Sequence, residues 1–330
     1  MSLRVVVKKS LSSFDSLMRP CMINQKYIAA LRESLTLTGL PLVLSMHDVS
    51  DFPSPFLYQN YLTISPRRIV GIIDYLSKFC WFVNPKDITS DKSLYAPGVN
   101  REKVPVLLTF DDGFSCLARV VSDILRPRSI VPLLFVNSEP IMGDVPLLSS
   151  FVIYLNQKGI NSISHLAVRP ALFLSLVSDF YAHEYQSFLR YQGDLLSPDD
   201  LSRLVDSEML VLGNHLSNHW NAKAQDESFL AESFSQCEEF IRSIQGFSLG
   251  LFAYPNGQPG SCFADSNFET LKQCGASLQF ANAGFGKGYN LDNVLPRIGV
   301  LPWEGYNTIN RKMREIISNF STDPLSCGEK

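Results

Sequence analysis

Leu108-Thr109-Phe110-Asp111-Asp112-Gly113 is the stretch that decides the fold and the chemistry of this chain. An apolar run from Val104 to Phe110 delivers two adjacent carboxylates, Asp111 and Asp112, to a point where Gly113 lets the backbone turn sharply. Neighbouring side chains of an extended segment point to opposite sides, so the pair can divide its labour, one carboxylate binding a metal and the other moving a proton. A second pattern, Gly213-Asn214-His215-Leu216-Ser217-Asn218-His219-Trp220, also follows an apolar run. Two imidazoles and one carboxylate make a facial metal site with open positions. Each pattern alone is ordinary, since Asp-Asp-Gly is common turn chemistry and His-x-x-x-His spacing is often met by accident. Both, however, fall at the C-terminal ends of predicted strands, the edge where parallel α/β proteins assemble their sites.

Outward from these motifs the chain alternates strands and helices. Residues 41–46 read as a buried strand ending at His47-Asp48. Ser65-Pro66 caps a helix whose Ile69, Ile72, Ile73 and Leu76 share one face. Strands are expected at 104–109, 130–136, 209–212, 249–254, 277–281 and 294–298, with helices at 117–125, 227–244 and 268–274 between them. Alternation implies a parallel sheet, and about seven such strands suggest a closed or nearly closed barrel over residues 41–310. Residues 1–40 read as an N-terminal extension, 311–330 as a C-terminal helix and tail, and 146–205 as a helical insertion that buries its apolar face against the barrel. His165 and His183 lie in that insertion without an acidic or histidine neighbour at ligand spacing, and read as structural or solvated.

The chain has 330 residues and is 45% hydrophobic, enough for one large core. A formal charge of −3, from 29 basic and 32 acidic residues, gives no bulk attraction for nucleic acid or an acidic membrane. No run approaches the roughly 18 apolar residues that cross a bilayer, and Met1 to Lys9 does not resemble a secretory signal, so a soluble, cytoplasmic protein is expected. Seven cysteines, Cys21, Cys80, Cys116, Cys237, Cys262, Cys274 and Cys327, contain no CxxC pair and read as free thiols.

The motifs resemble those of the polysaccharide deacetylases of the NodB-homology type, carbohydrate esterase family four. Thr109 to Gly113 matches the first motif of that family letter for letter, and His215 to His219 matches the second with Leu216 in the usual Ser/Thr place. Ala253-Tyr254-Pro255-Asn256-Gly257 stands for the third, a tight turn that normally begins with arginine. The resemblance covers roughly residues 41–302 and implies an α/β fold, a distorted (β/α)7 barrel with a helical insertion. By the same resemblance, Asp112, His215 and His219 bind a divalent metal. Zinc is the default for that donor set, which iron, cobalt, nickel or manganese would also fit. Asp111 is then the general base, and the backbone N–H of Asn256 is the oxyanion donor.

Family members take their general acid from a histidine near the chain end, and this sequence has none beyond His219. A subgroup resembling the poly-N-acetylglucosamine deacetylases places the equivalent strand first, which assigns His47 as the acid and Asp48 as an orienting partner or substrate contact. Where the third motif has lost its arginine to Ala253, Arg297 either reaches the same carboxylate from a neighbouring strand or makes an ordinary surface ion pair. Tyr254, Trp220 and Trp303 are candidate sugar contacts. The resulting expectation is a metal-dependent hydrolase that deacetylates an N-acetylated amino sugar in a glycan or glycan precursor. The alternatives are hydrolysis of another amide, an imide or an O-acetyl ester, or a catalytically impaired carbohydrate-binding protein.

Overall fold

The computed structural model describes residues 25–88, 94–95, 102–143, 145–160, 164, 168–282, 294–304 and 306–320. Ten strands are present among them: β1 (Leu42–Met46), β2 (Asp48–Val49), β3 (Thr63–Ile64), β4 (Cys80–Phe82), β5 (Val104–Asp112), β6 (Leu133–Val136), β7 (Val211–Asn214), β8 (Leu251–Ala253), β9 (Leu278–Ala281) and β10 (Val294–Gly299). Seven of them form a ring in the order β1-β10-β9-β8-β7-β6-β5, closed by a second pairing of β1 with β5. Every pairing in the ring is parallel. The expected seven-stranded α/β barrel is therefore the fold. Strand β4 pairs with the start of β5, while β2 and β3 form a separate parallel pair beside the barrel mouth.

Period-two alternation sorts the strand residues into two layers. Val43, Leu107, Leu133, Phe135, Val211, Leu251, Ala253, Phe280 and Leu295 fill the barrel interior. The opposite parity, including Leu44, Val106, Leu108, Phe110, Leu134 and Leu212, packs against the surrounding helices. At Gly213 the two neighbouring strands leave no room for a side chain. A Cβ on Gly213 would lie 2.8 Å from the Phe135 ring and 3.1 Å from the Leu251 carbonyl oxygen. Gly213→Ala should accordingly cost about 1–3 kcal/mol by overpacking, read as a lowered midpoint in urea unfolding; an unchanged midpoint would mean that Phe135 is free to move aside.

The helices follow the expected faces with local shifts. Pro66–Leu76 buries Ile69, Ile72, Ile73 and Leu76. Glu227–Gln245 is capped by Asp226, whose side chain accepts from the Phe229 N–H, and is ended by Gly246 at φ 79°. It buries Leu230, Phe234, Cys237 and Ile241. The expected helix at 117–125 is α-helical only over Leu117–Arg119; Val120–Leu125 is a wider π-helical turn, and Pro127 then enters a 3-10 turn. The helix expected at 268–274 runs over Asp265–Gln273, because the Asn267 side chain accepts from the Ala264 N–H and starts it earlier.

Residues 146–205 do form a helical layer, including Leu148–Gln157 and Pro170–Gln192. Leu148, Phe151, Val152, Tyr154, Phe173 and Phe188 of this layer pack into one apolar cluster with Phe234 and Phe252. Helix Gln25–Thr38 packs on Tyr306–Phe320, and its Leu31 and Leu35 join the main core, so the described part of the N-terminal segment is integral to the domain. The first 24 residues, Cys21, Cys327 and His165 lie outside the described residues, as does the side chain of His183. Cys80, Cys116, Cys237, Cys262 and Cys274 are free thiols, as expected, and burial pushes the Cys237 thiol up to about 12. Among the described residues no helix is long and apolar enough to cross a membrane.

Candidate active site

The site sits at the C-terminal mouth of the barrel because strand parity carries the interior row upward into it. Val43 and Ser45 lead to His47, Leu107 and Thr109 to Asp111, Val211 and Gly213 to His215, and Leu295 to Arg297. Strand β5 runs three residues further than expected, through both aspartates, and pairs Asp111 with Phe135 and Asp112 with Val136. Parity alone would send Asp112 outward. Its φ of 69° turns it back, and Gly113 follows at φ 90°. Leu216 and Asn256 also hold left-handed backbones, with φ of 67° and 60°. Such strain gathers where the surrounding structure over-determines a working geometry.

Asp112, His215 and His219 converge, all buried, with their ligand atoms within 4.8 Å of one another. Asp112 Oδ1 is 3.8 Å from Nε2 of each imidazole. The donor set fits a divalent cation on three grounds. Asp112 Oδ1 and His215 Nε2 are buried and make no hydrogen bond. Burial and the neighbouring Asp111 charge push the Asp112 carboxyl well above its ordinary range, so a positive charge belongs beside it. Burial likewise lowers His215, to about 4, which keeps the imidazole in the neutral, metal-binding form. The other nitrogen of His215, Nδ1, is held 2.7 Å from the Ala253 carbonyl, which fixes the ring orientation and leaves Nε2 facing Asp112.

Asparagines brace the histidine loop, a support that the sequence reading missed. Asn214 accepts from the Leu216 N–H and donates to the Phe234 carbonyl and to Glu238. Asn218 accepts from the N–H groups of Leu148 and His219 and donates to the Pro146 carbonyl. Asn137, at the end of β6, donates to the carbonyls of His215 and Leu216. The available signal was the repeat itself, because each motif histidine directly follows an asparagine. Asn137 left no such mark.

Arg297 answers the departure at Ala253. It is buried, not a surface residue, and its Nη1 donates to Asp111 Oδ1 at 2.6 Å. The guanidinium lies 5.4 Å from the centroid of the Phe135 ring. Burial would push the Asp111 carboxyl up, but Arg297, with His215 and His47 beyond it, outweighs that and holds it at about 2. Asp111 thus takes its guanidinium contact from β10, while Ala253 meets the site through its carbonyl. His47 Nε2 stands 3.9 Å from Asp111 Oδ2, and burial lowers its pKa.

These groups line one cavity of 520 Å³, which includes Asp111, Asp112, His47, Asn256 and Arg297. Four other candidates lie elsewhere. Tyr254 is fully buried, stacks on Phe263 and bonds to Gln279, so its hydroxyl and ring are both taken by the core. Trp220 packs edge-on against Phe173 and Phe229 in the insertion cluster. Neither lines the cavity. Asp48 lies in β2, where its Oδ2 accepts from the Thr63 hydroxyl at 2.6 Å, and it faces a separate groove with Cys116. Trp303 remains at the surface, edge-on to Tyr61.

A seven-stranded parallel barrel with an Asp-His-His group and a second aspartate at its mouth defines a deacetylase-type hydrolase site. The sequence model of the family described as Polysaccharide deacetylase matches residues 98–278, and the chain belongs to that family. No curated protein sequence is similar enough to count as a relative. Among solved structures, the Streptococcus pyogenes deacetylase PplD, solved in complex with acetate, superposes with a TM-score of 0.55 at 15% identity, covering 83% of this chain and 97% of that one. The de-N-acetylase from Aggregatibacter actinomycetemcomitans gives 0.51 at 18% identity, covering 82% and 98%. IcaB from Ammonifex degensii gives 0.50 at 20% identity, covering 85% and 97%.

Proposed function

We propose that this chain is a metal-dependent deacetylase that removes acetyl from an N-acetylated amino sugar in a glycan or glycan precursor. The observation that carries the proposal is the shared cavity in which Asp112, His215 and His219 converge while the second carboxylate, Asp111, stays ionised and separately held. Zinc suits two imidazoles and a carboxylate, and when bound such a cation polarises the acetyl carbonyl and lowers the pKa of water.

The other steps fall to side chains of the chain itself. Asp111 accepts the proton of the attacking water, and Arg297 keeps that carboxylate charged and fixed in orientation. The backbone N–H of Asn256, in the left-handed turn that ends in Gly257, steadies the negative oxygen that develops on the acetyl carbon. His47, which lines the same cavity 3.9 Å from Asp111, passes a proton to the departing amine. Burial leaves the imidazole neutral at rest, so the proton it passes on is the one that Asp111 has taken from the attacking water. His47→Ala should lower kcat about 10²-fold or more while the variant retains its metal; a wild-type kcat would remove His47 as the acid.

Arg297 seated on Asp111 argues against the impaired-enzyme alternative, whose motive was the missing arginine of the third motif. Elemental analysis of the purified protein, with acetate release measured on N-acetyl sugars, O-acetyl esters and small imides, tests the proposal. Bound metal with acetate released from the sugars supports it, and turnover confined to esters or imides sinks the substrate assignment.

A further inference from the structure

The turn after β8 carries the oxyanion donor, and its shape depends on a residue from the next strand. Strand β8 pairs with β9 in the register Ala253↔Phe280, and beyond it the Tyr254 N–H donates to the Phe280 carbonyl at 3.0 Å. The chain then turns within three residues. The Gly257 N–H donates to the Pro255 carbonyl at 2.7 Å, with Asn256 between them at φ 60° and Gly257 itself at φ 69°. A three-residue turn whose central residue has positive φ is the rare and strained hand. It persists only where the surroundings hold it.

Asn282 directly follows β9, and the strand register continued by two residues sets it opposite Pro255. Its side-chain Nδ2 donates to the Asn256 carbonyl at 3.4 Å, a long bond. The turn also lies directly against it. A Cβ on Gly257 would stand 2.6 Å from the Asn282 backbone nitrogen, 3.1 Å from its Cβ and 3.2 Å from its Cγ, an approach that only glycine allows. Asn282 thus fixes the 256–257 peptide by its carbonyl, and the N–H of that same peptide fixes the Pro255 carbonyl. In a planar trans peptide the N–H points away from the carbonyl, so fixing the Pro255 oxygen aims the Asn256 N–H. That N–H makes no hydrogen bond among the described residues. Asn256 and Asn282 both line the active-site cavity. The Oδ1 of Asn282 is buried without a partner, a cost of roughly 1–3 kcal/mol that an apolar side chain of similar size would avoid. What the fold gains from the amide is its donor end.

We propose that Asn282 is a positioning residue for the reaction: it clamps the turn so that the Asn256 N–H meets the negative oxygen that develops on the acetyl carbon. The proposal rests on the deacetylase reading above. Asn282 is not one of the grouped metal donors, and its one side-chain bond goes to Asn256, so it acts through that residue alone. An oxyanion contact forms only in the transition state, so a loosened donor lowers kcat and leaves KM nearly as it was. Removing such a donor outright costs roughly 10²–10³ in kcat, and one that stays but swings should cost less, about tenfold.

The test uses the metal-loaded full chain with the β-1,4-linked tetramer of N-acetylglucosamine as probe. Asn282→Leu and Asn282→Asp keep the bulk of the side chain and lose the donor, whereas Asn282→Gln keeps a donor. The first two should lower kcat for acetate release about tenfold, with KM within about twofold and metal content retained, and Asn282→Gln should recover part of the loss. Deuterium exchange of the segment 254–258, read by mass spectrometry without substrate, reports the clamp itself. It should be about tenfold faster in Asn282→Leu and Asn282→Asp, with the segment 213–219 unchanged. A wild type that releases no acetate sinks the deacetylase reading; faster exchange confined to the turn then still supports the clamp, and unchanged exchange overturns it. In an active enzyme, a wild-type kcat in Asn282→Leu and Asn282→Asp overturns the proposal. So does a fall in kcat that comes with lost metal or with faster exchange throughout the barrel, because Asn282 would then be a packing residue only.

Discussion

Asp111→Asn should leave the metal bound and reduce acetate release by about 10²–10⁴-fold in kcat. Asparagine keeps the size of the side chain and an oxygen that can accept from Arg297, so the cavity and the three metal-binding side chains stay in place. What disappears is the negative charge that takes the proton from water. The same charge neutralises a buried guanidinium whose Nε and Nη2 have no hydrogen-bond partner. The variant should consequently also be less stable, by an amount of order 3–5 kcal/mol at most. Elemental analysis, a thermal melt and single-turnover acetate release on one sample distinguish the two effects. A folded, metal-loaded variant that turns over at the wild-type rate would show that Asp111 is not the base.

His215→Ala or Asp112→Ala should strip the protein of metal and take acetate release below detection. Each removal deletes one of three ligands at a site with no fourth histidine, cysteine or acidic donor grouped with them among the described residues. The loss of affinity should exceed the roughly 10–100-fold that removal of a supporting contact costs. Metal content after dialysis, followed by chelation and re-addition to the wild type, reads this directly. Asp112→Ala also removes a buried oxygen that lacks a partner in the fold, so its stability without metal should fall little or even rise, whereas His215→Ala also loses the bond to the Ala253 carbonyl and should be less stable. Variants that hold metal as tightly as the wild type would mean that the cation sits elsewhere.

The residues differ in how far sequence exposed them. Asp111 and Asp112 were legible because an unbroken apolar run ends on them, and an apolar run of that kind is a buried parallel strand. His215 and His219 were legible for the same reason. The helix faces of Ile69 to Leu76 and Leu230 to Ile241 followed from their spacing. Arg297 was half legible: its place near a strand end was visible, but whether it met Asp111 or solvent was not, since the two residues are 186 positions apart and the choice depends on barrel closure through β1. Tyr254 and Trp220 show the opposite error. Each lies close to a site residue in sequence, yet its ring is buried in the cluster under the helical insertion and not in the cavity.

Asn137 shows what composition and motif cannot reach. Nothing near it in sequence marks it, and its function is to hold the carbonyls of His215 and Leu216, 78 and 79 residues later. The exposed pair of Tyr61 and Trp303 is similar, because two rings so distant in the chain come edge-on only when the β2–β3 flank and the β10 exit meet at the barrel mouth.

From its letters alone, the chain fixed the alternation of strands and helices, the count of seven ring strands, and the identity of two carboxylates and two imidazoles at strand ends. Those properties are local, set by period, burial and turn chemistry within a dozen residues. Which carboxylate faces the imidazoles, which guanidinium steadies the other, and which aromatics reach the cavity were decided only when the ring closed. Those choices are set by distances between strands that the order of residues does not contain.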